Sequence, residues 1–155
     1  MACPHHPHLA HLSPVKDGLI AFLTTTTHLR RRILAQAPAH ETLREIWERS
    51  ASLNGWFVGR YVLMPDHVHL FARPVSTADP LATWMKAWKS ISSRKLATTL
   101  GITPPVWQVG YFDRYLRSDE SYTQKWDYVV QNPVRAGLVS SSSNWPHQGE
   151  IHPLE

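Results

Sequence analysis

Cysteine is almost missing from this chain: Cys3 stands alone among 155 residues. That excludes a disulfide framework and a cysteine-based zinc cluster, and it suits a reducing cytoplasm. Also missing is any run near the ~20 apolar residues of a membrane span, and the polar start lacks the apolar centre of a secretory signal. A soluble cytoplasmic protein with no membrane partner is the expectation. No internal repeat is present. Acid is in deficit, with 12 Asp and Glu against 16 Lys and Arg and a pI near 9.5, which suggests an anionic partner without identifying one. A chain of this length can bury one core unaided. A single domain is therefore expected over 16–139, after a flexible His- and Pro-rich arm over 1–15 and before an irregular tail over 140–155, from which Trp145 is placed to fold back. Most of the seven tryptophans fall on core-facing positions.

Apolar and β-branched residues over 19–27 predict a first, central strand. The basic run Arg30, Arg31, Arg32 follows in a loop and either faces water or grips phosphates. Leu43, Ile46, Trp47 and Leu53 recur at helical spacing over 39–53, and Asn54 with Gly55 supplies the stop. Strands over 56–63 and 67–73 form a hairpin that Pro74 ends. Asp79 as N-cap and Pro80 in the first turn open a second helix, with Leu81, Trp84, Met85, Trp88 and Ile91 as its buried stripe. Around that stripe lie Lys86, Lys89, Arg94 and Lys95, a face suited either to water or to a phosphate backbone. The aromatic residues over 106–116 predict an edge or bent strand, with a bulge at Gly110. Ser118, Asp119 and Glu120 predict the cap and acidic first turn of a third helix, which ends or kinks at Pro133. The order is βαββαβα.

The stretch with most chemical content is YVLMPDHVHLFARP over 61–74. In an extended strand His67 and His69 point to one face while Val68 and Leu70 point to the other. Met64, Pro65 and Asp66 form the turn before them. The pair is either a two-nitrogen metal claw or simply the wet face of a strand. Asp66 either orients a ligand histidine or only makes the turn, and the turn is favoured. In the last helix Tyr128 and Asn132 stand four apart, which brings a phenol and an amide to one face. Together with the histidines they offer a nucleophile and a third ligand.

These segments resemble one family. MPDHVHLF over 64–71 is similar to the His-hydrophobic-His motif of single-tyrosine transposases. DYVVQNPVRAGLV over 127–139 resembles the tyrosine-bearing helix of their REP-associated branch, and WQVGYFDR over 107–114 resembles the segment before it. Order and spacing agree over about 19–139, while LIAFLTTTTHLRRRIL at the start is only loosely similar. The resemblance implies an α+β fold of the ferredoxin-like, His-hydrophobic-His endonuclease type: an antiparallel sheet flanked by helices, the histidines on a central strand and the tyrosine on a helix crossing its face.

Attack of a tyrosine on DNA requires a phenolate-like oxygen, although a free phenol has a pKa of about 10, and it requires relief of the charge that builds on the phosphate. The resemblance implies that Tyr128 forms a 5′-phosphotyrosine, and that His67, His69 and Asn132 hold a divalent metal, Mg or Mn, although such a set also takes zinc or nickel. It implies single-stranded, hairpin-bearing, REP-like DNA as the partner, with Arg30, Arg31, Arg32, Lys86, Lys89, Arg94, Lys95, Arg114 and Arg135 as candidate contacts. Tyr111, Phe112 and Tyr115 are either stacking platforms or sheet packing. Tyr111, Tyr115 and Tyr122 are rival nucleophiles. A protein that binds DNA without cutting it, and one whose histidines serve packing or a structural metal, are the alternatives. Monomer and dimer both stay open, the REP-associated branch pointing to a monomer.

Overall fold

The computed structural model describes residues 19–117 and 120–155. The arm over 1–15, the expected turn over 16–18, and Ser118 with Asp119 lie outside the described residues. Among the described residues five strands form, β1 (Ala21–Thr26), β2 (Trp56–Leu63), β3 (His67–Pro74), β4 (Phe112–Tyr115) and β5 (Gln148–Glu150), with helices α1 (Ala37–Asn54), α2 (Leu81–Leu100), α3 (Tyr122–Val129) and the single turn α4 (Asn132–Arg135). All pairings are antiparallel, in the order β4-β1-β3-β2-β5. The α+β reading therefore holds, with β1 interior as expected, the histidine strand β3 in the middle and a fifth strand added at the end.

Alternation along each strand assigns the two faces. Ala21, Leu23, Leu63, Val68 and Leu70 point towards α1 and α2, where Leu43, Trp47, Trp84 and Trp88 complete one core. Phe22, Val62 and Phe71 point the other way and pack with Tyr122 and Val129 of α3. His67 and His69 share this second face. Six of the seven tryptophans are buried, and Trp56 stacks flat on Trp84 at 4.9 Å, joining the start of β2 to α2. At Gly55 the backbone is left-handed, with φ of +78°, and an added Cβ would lie 2.7 Å from the Cα of Ala78. Both the angle and the space demand glycine there.

Some expected details change. Asp79 does not cap α2: Pro80 holds that position. The Asp79 carboxylate instead accepts from Asn54 Nδ2 at 2.8 Å and its carbonyl from Trp56 Nε1, so it ties the end of α1 to the approach to α2. The cap of α3 is Ser121, whose hydroxyl accepts from the Gln124 amide. Glu120 lies before the helix and accepts from Arg114 and the Arg117 amide. Over 106–116 the chain makes one bridge, Thr27 to Trp107, before it bends and enters β4.

The tail is not irregular throughout. Gln148–Glu150 pair with Arg60, Tyr61 and Val62 of β2, and Trp145 does fold back, its indole N–H donating to the Leu63 carbonyl at 3.0 Å. A three-residue polar strand carries no periodicity to read, and its pairing is anchored by the tryptophan before it. Trp145→Ala is expected to cost about 3 kcal/mol, measured by urea denaturation. An unchanged midpoint would show that this anchor contributes nothing to the fold. Among the described residues no helix is long and apolar enough to cross a membrane.

Candidate active site

On β3 the alternation places the His67 and His69 rings side by side, 4.8 Å apart. Asp66, the last turn residue, puts Oδ1 2.8 Å from His67 Nδ1. A carboxylate only accepts, so Nδ1 carries a proton and donates it to Asp66, and Nε2 is the ring nitrogen left outside this bond. Burial opposes the charge on Asp66, but the hydrogen bond and charge of His67, with the charge of Arg30, hold its carboxyl below the usual range. Arg30 reaches Asp66 Oδ2 at 3.1 Å from a turn in which Leu29 and Arg30 are both left-handed, with φ of 59° and 53°. Two such non-glycine residues in succession are a local strain. Asp66 thus makes the turn and also orients the histidine.

His69 is held from the neighbouring strand. Thr24 of β1, directly opposite in register, sets its hydroxyl 2.8 Å from His69 Nδ1, and Phe22 stacks on the ring at 5.5 Å. Burial, then the positive charges of His67, Arg135 and Lys125, push the His69 pKa down to about 3. The ring is neutral at physiological pH. With both Nδ1 atoms engaged, the two Nε2 atoms are the ones left to bind a ligand.

The helix α3 lies over this face. Tyr122 meets Phe71 edge-on at 5.0 Å, and Lys125 Nζ stands 5.2 Å over the Phe22 ring. The helix stops at Val129, and α4 resumes at Asn132 with Pro133 in its first turn, so Tyr128 and Asn132 sit on two successive pieces. Arg135 bridges them. Its guanidinium lies 4.2 Å from the Tyr128 ring centroid and donates to the Tyr128 carbonyl and to Asn132 Oδ1. The charge of Arg135 also acts on His69.

Of the five tyrosines, Tyr128 alone is broadly exposed, at 64%. Tyr61 is enclosed, its hydroxyl held by His40 and Arg44. Tyr122 is buried, its oxygen accepting from the Arg60 amide, and burial first of all pushes its pKa up to about 12. Burial and the Asp113 charge also push Tyr111 and Tyr115 upward.

Two adjacent imidazoles are a donor type that divalent ions accept. Among the described residues no cluster of three or more His, Cys, Asp or Glu side chains forms, and the further candidate ligand of the sequence is an amide oxygen. Asn132 carries one, and Arg135 now engages it.

The candidate DNA contacts divide by what already holds them. Arg31 donates to the Thr103 and Pro105 carbonyls, and Lys89 to those of Gln108 and Gly110. Both cations brace loops. Arg114 is paired with Glu120 at 2.6 Å, and Arg30 with Asp66. Arg32, Lys86, Arg94 and Lys95 are exposed. Lys86, Lys89 and Arg94 line a groove of about 500 Å³ between α2 and residues 105–111. Sequence reasoning missed Thr24, Phe22 and Lys125. Their roles depend on strand register and on the seat of α3, for which no local signal exists.

A five-stranded antiparallel α+β sheet, with a histidine pair on its middle strand and a tyrosine-bearing helix across the same face, is the architecture of the single-tyrosine, His-hydrophobic-His transposases. The chain belongs to the family described as Transposase IS200 like, whose model matches residues 17–132. It is similar to the REP-associated tyrosine transposase of Escherichia coli (strain K12), 24% identical over 136 residues that make up 85% of this chain and 76% of the relative. Its fold matches the structure of a REP-associated tyrosine transposase bound to a REP hairpin, with a TM-score of 0.68 and 21% identity over 84% of this chain and 76% of that one.

Proposed function

We propose that the chain cuts and rejoins single-stranded DNA beside a REP-like hairpin, with Tyr128 as nucleophile. The observation that carries this reading is the exposed Tyr128 on a helix that packs across the histidine face, its ring against the Arg135 that also holds Asn132, opposite a histidine pair whose Nδ1 atoms are both engaged. The Tyr128 oxygen attacks the scissile phosphorus and loses its proton. An O–P bond forms, the bond to the 3′ oxygen breaks, and that oxygen takes up a proton as a free 3′-hydroxyl. The strand remains attached as a 5′-phosphotyrosine. Attack by another 3′-hydroxyl reverses the step and reseals DNA without ATP, because the phosphodiester energy is held in the tyrosyl bond.

Arg135 fixes the phenol ring and brings positive charge to the place where phosphate charge builds. Asp66 and Thr24 orient the imidazoles, His67 from its own turn and His69 from the adjacent strand. His67, His69 and Asn132 would hold magnesium or manganese, which when bound supplies polarisation of the phosphate. Asp66→Asn is expected to weaken manganese binding about 10- to 100-fold, read by calorimetric titration. Unaltered affinity would leave Asp66 with the turn alone.

The deciding experiment incubates the protein with hairpin DNA labelled on either side of the cut and with manganese, followed by a denaturing gel. The reading expects a covalent adduct that carries the label 3′ to the cut, a released strand ending in a 3′-hydroxyl, and loss of both with chelator. Tight hairpin binding with no adduct, across several flanks and metals, would replace it with a DNA-binding protein of the same fold.

A further inference from the structure

The strand register lays a row of side chains across the sheet. His69 of β3 is opposite Thr24 of β1, and Thr24 is opposite Phe112 of β4. Opposed residues of antiparallel strands project to one face, so Phe112 stands on the histidine face, two strand spacings or about 10 Å from His69. Its ring continues a path of rings: Phe22 stacks on His69 at 5.5 Å, and Phe112 meets Phe22 edge-on at 6.4 Å. The two phenylalanines differ in what covers them. Phe22 is buried, whereas Phe112, on an outermost strand, is 54% exposed. Phe112 thus presents an open aromatic face at the rim of the site, in line with the rings that lead to His69, and such a face takes a nucleobase by stacking.

The surroundings of the ring are cationic. Lys125 stands over Phe22, Arg114, opposite Phe22 on β4, shares its charge with Glu120, and the charges of Lys125 and Arg135 both act on His69. An aromatic face among cations suits a base attached to a phosphate chain better than an apolar protein surface. We propose that Phe112 is the platform on which a base of the cut strand stacks, one or two nucleotides from the scissile phosphate. The proposal rests on the cleavage reading above and adds the element that sets where the strand lies. Stacking tolerates any base, so Phe112 fixes position and leaves sequence choice to other contacts.

The test measures KM and kcat for hairpin cleavage by the parent, Phe112→Ala, Phe112→Leu and Phe112→Trp, on oligonucleotides with an abasic site at each flanking position in turn. Phe112→Ala is expected to raise KM about tenfold to a hundredfold. Phe112→Leu should resemble it, and Phe112→Trp should restore the parent value. One abasic position should weaken the parent by a similar factor and leave Phe112→Ala unaffected. Parent-like behaviour of Phe112→Leu would show simple packing and overturn the proposal. Losses that add at every abasic position, or that follow a change in self-association with protein concentration, would overturn it as well. The same oligonucleotides titrated for binding report the stack even if the parent never cleaves, so failure of the platform and failure of the nickase reading are told apart.

Discussion

Tyr128→Phe is expected to abolish the covalent adduct and to lower strand cleavage about a thousandfold or more, as loss of a nucleophile does. The variant removes one oxygen and keeps the ring. The contact with Arg135 at 4.2 Å therefore survives, and because the side chain is exposed, hairpin affinity should stay within about a factor of two. No other tyrosine is positioned to substitute. Tyr61 and Tyr122 are enclosed with their hydroxyls engaged, and burial disfavours the phenolate at Tyr111 and Tyr115. Adduct yield on a denaturing gel and hairpin affinity by fluorescence anisotropy separate the two effects. An adduct of undiminished yield in the variant would remove Tyr128 as nucleophile.

Where local rules dominate, the sequence was readable. Helical spacing located α1 and α2, because Trp47, Trp84, Met85 and Trp88 face a core and their intervals record it. The end of α1 is set by Gly55, the stop the sequence supplied, while its start lies two residues before the expected 39, at Ala37. The misreadings arose where a distant group competes for a local signal. Asp79 has the composition of a cap, yet Asn54 and Trp56, brought beside it by the fold, take its oxygens. The strand Gln148–Glu150 exists because β2 offers an open edge and Trp145 holds the chain near it. Neither fact is local to residues 148–150.

The candidate site divides along the same line. His67 and His69 share a face by alternation alone, and Tyr128 and Asn132, four apart but on two helical pieces, are linked by Arg135, which touches both. The surroundings that give these residues their character were not legible. Thr24 and Phe22 reach His69 only through the register of β1 against β3. Charge composition said least about placement: Arg31 and Lys89, read as facing either water or phosphates, each hold backbone carbonyls of a neighbouring loop.

Alanine at either histidine should be almost as damaging as Tyr128→Phe, and alanine at both should be little worse than at one. Phosphate polarisation of the metal type supplies several kcal/mol, and each 1.4 kcal/mol is tenfold in rate, so a single loss should slow cleavage about a thousandfold. Groups that act as one unit do not add. The two sites differ in what else fails. His67 is half-buried and its partner Asp66 keeps Arg30, so His67→Ala should fold normally. His69 is stacked on Phe22 and held by Thr24, so His69→Ala should also lower the melting temperature, and His69→Gln serves as the milder variant. Cleavage rates per folded molecule, with hairpin affinity measured in chelator, isolate the chemistry. Hairpin affinity without metal should be retained in all of them. If cleavage by folded His67→Ala matches the parent, or if the double variant shows the product of two independent losses, the pair is not a joint ligand, and the row from Asp66 through His69 to Thr24 serves only to pack the sheet face beneath α3.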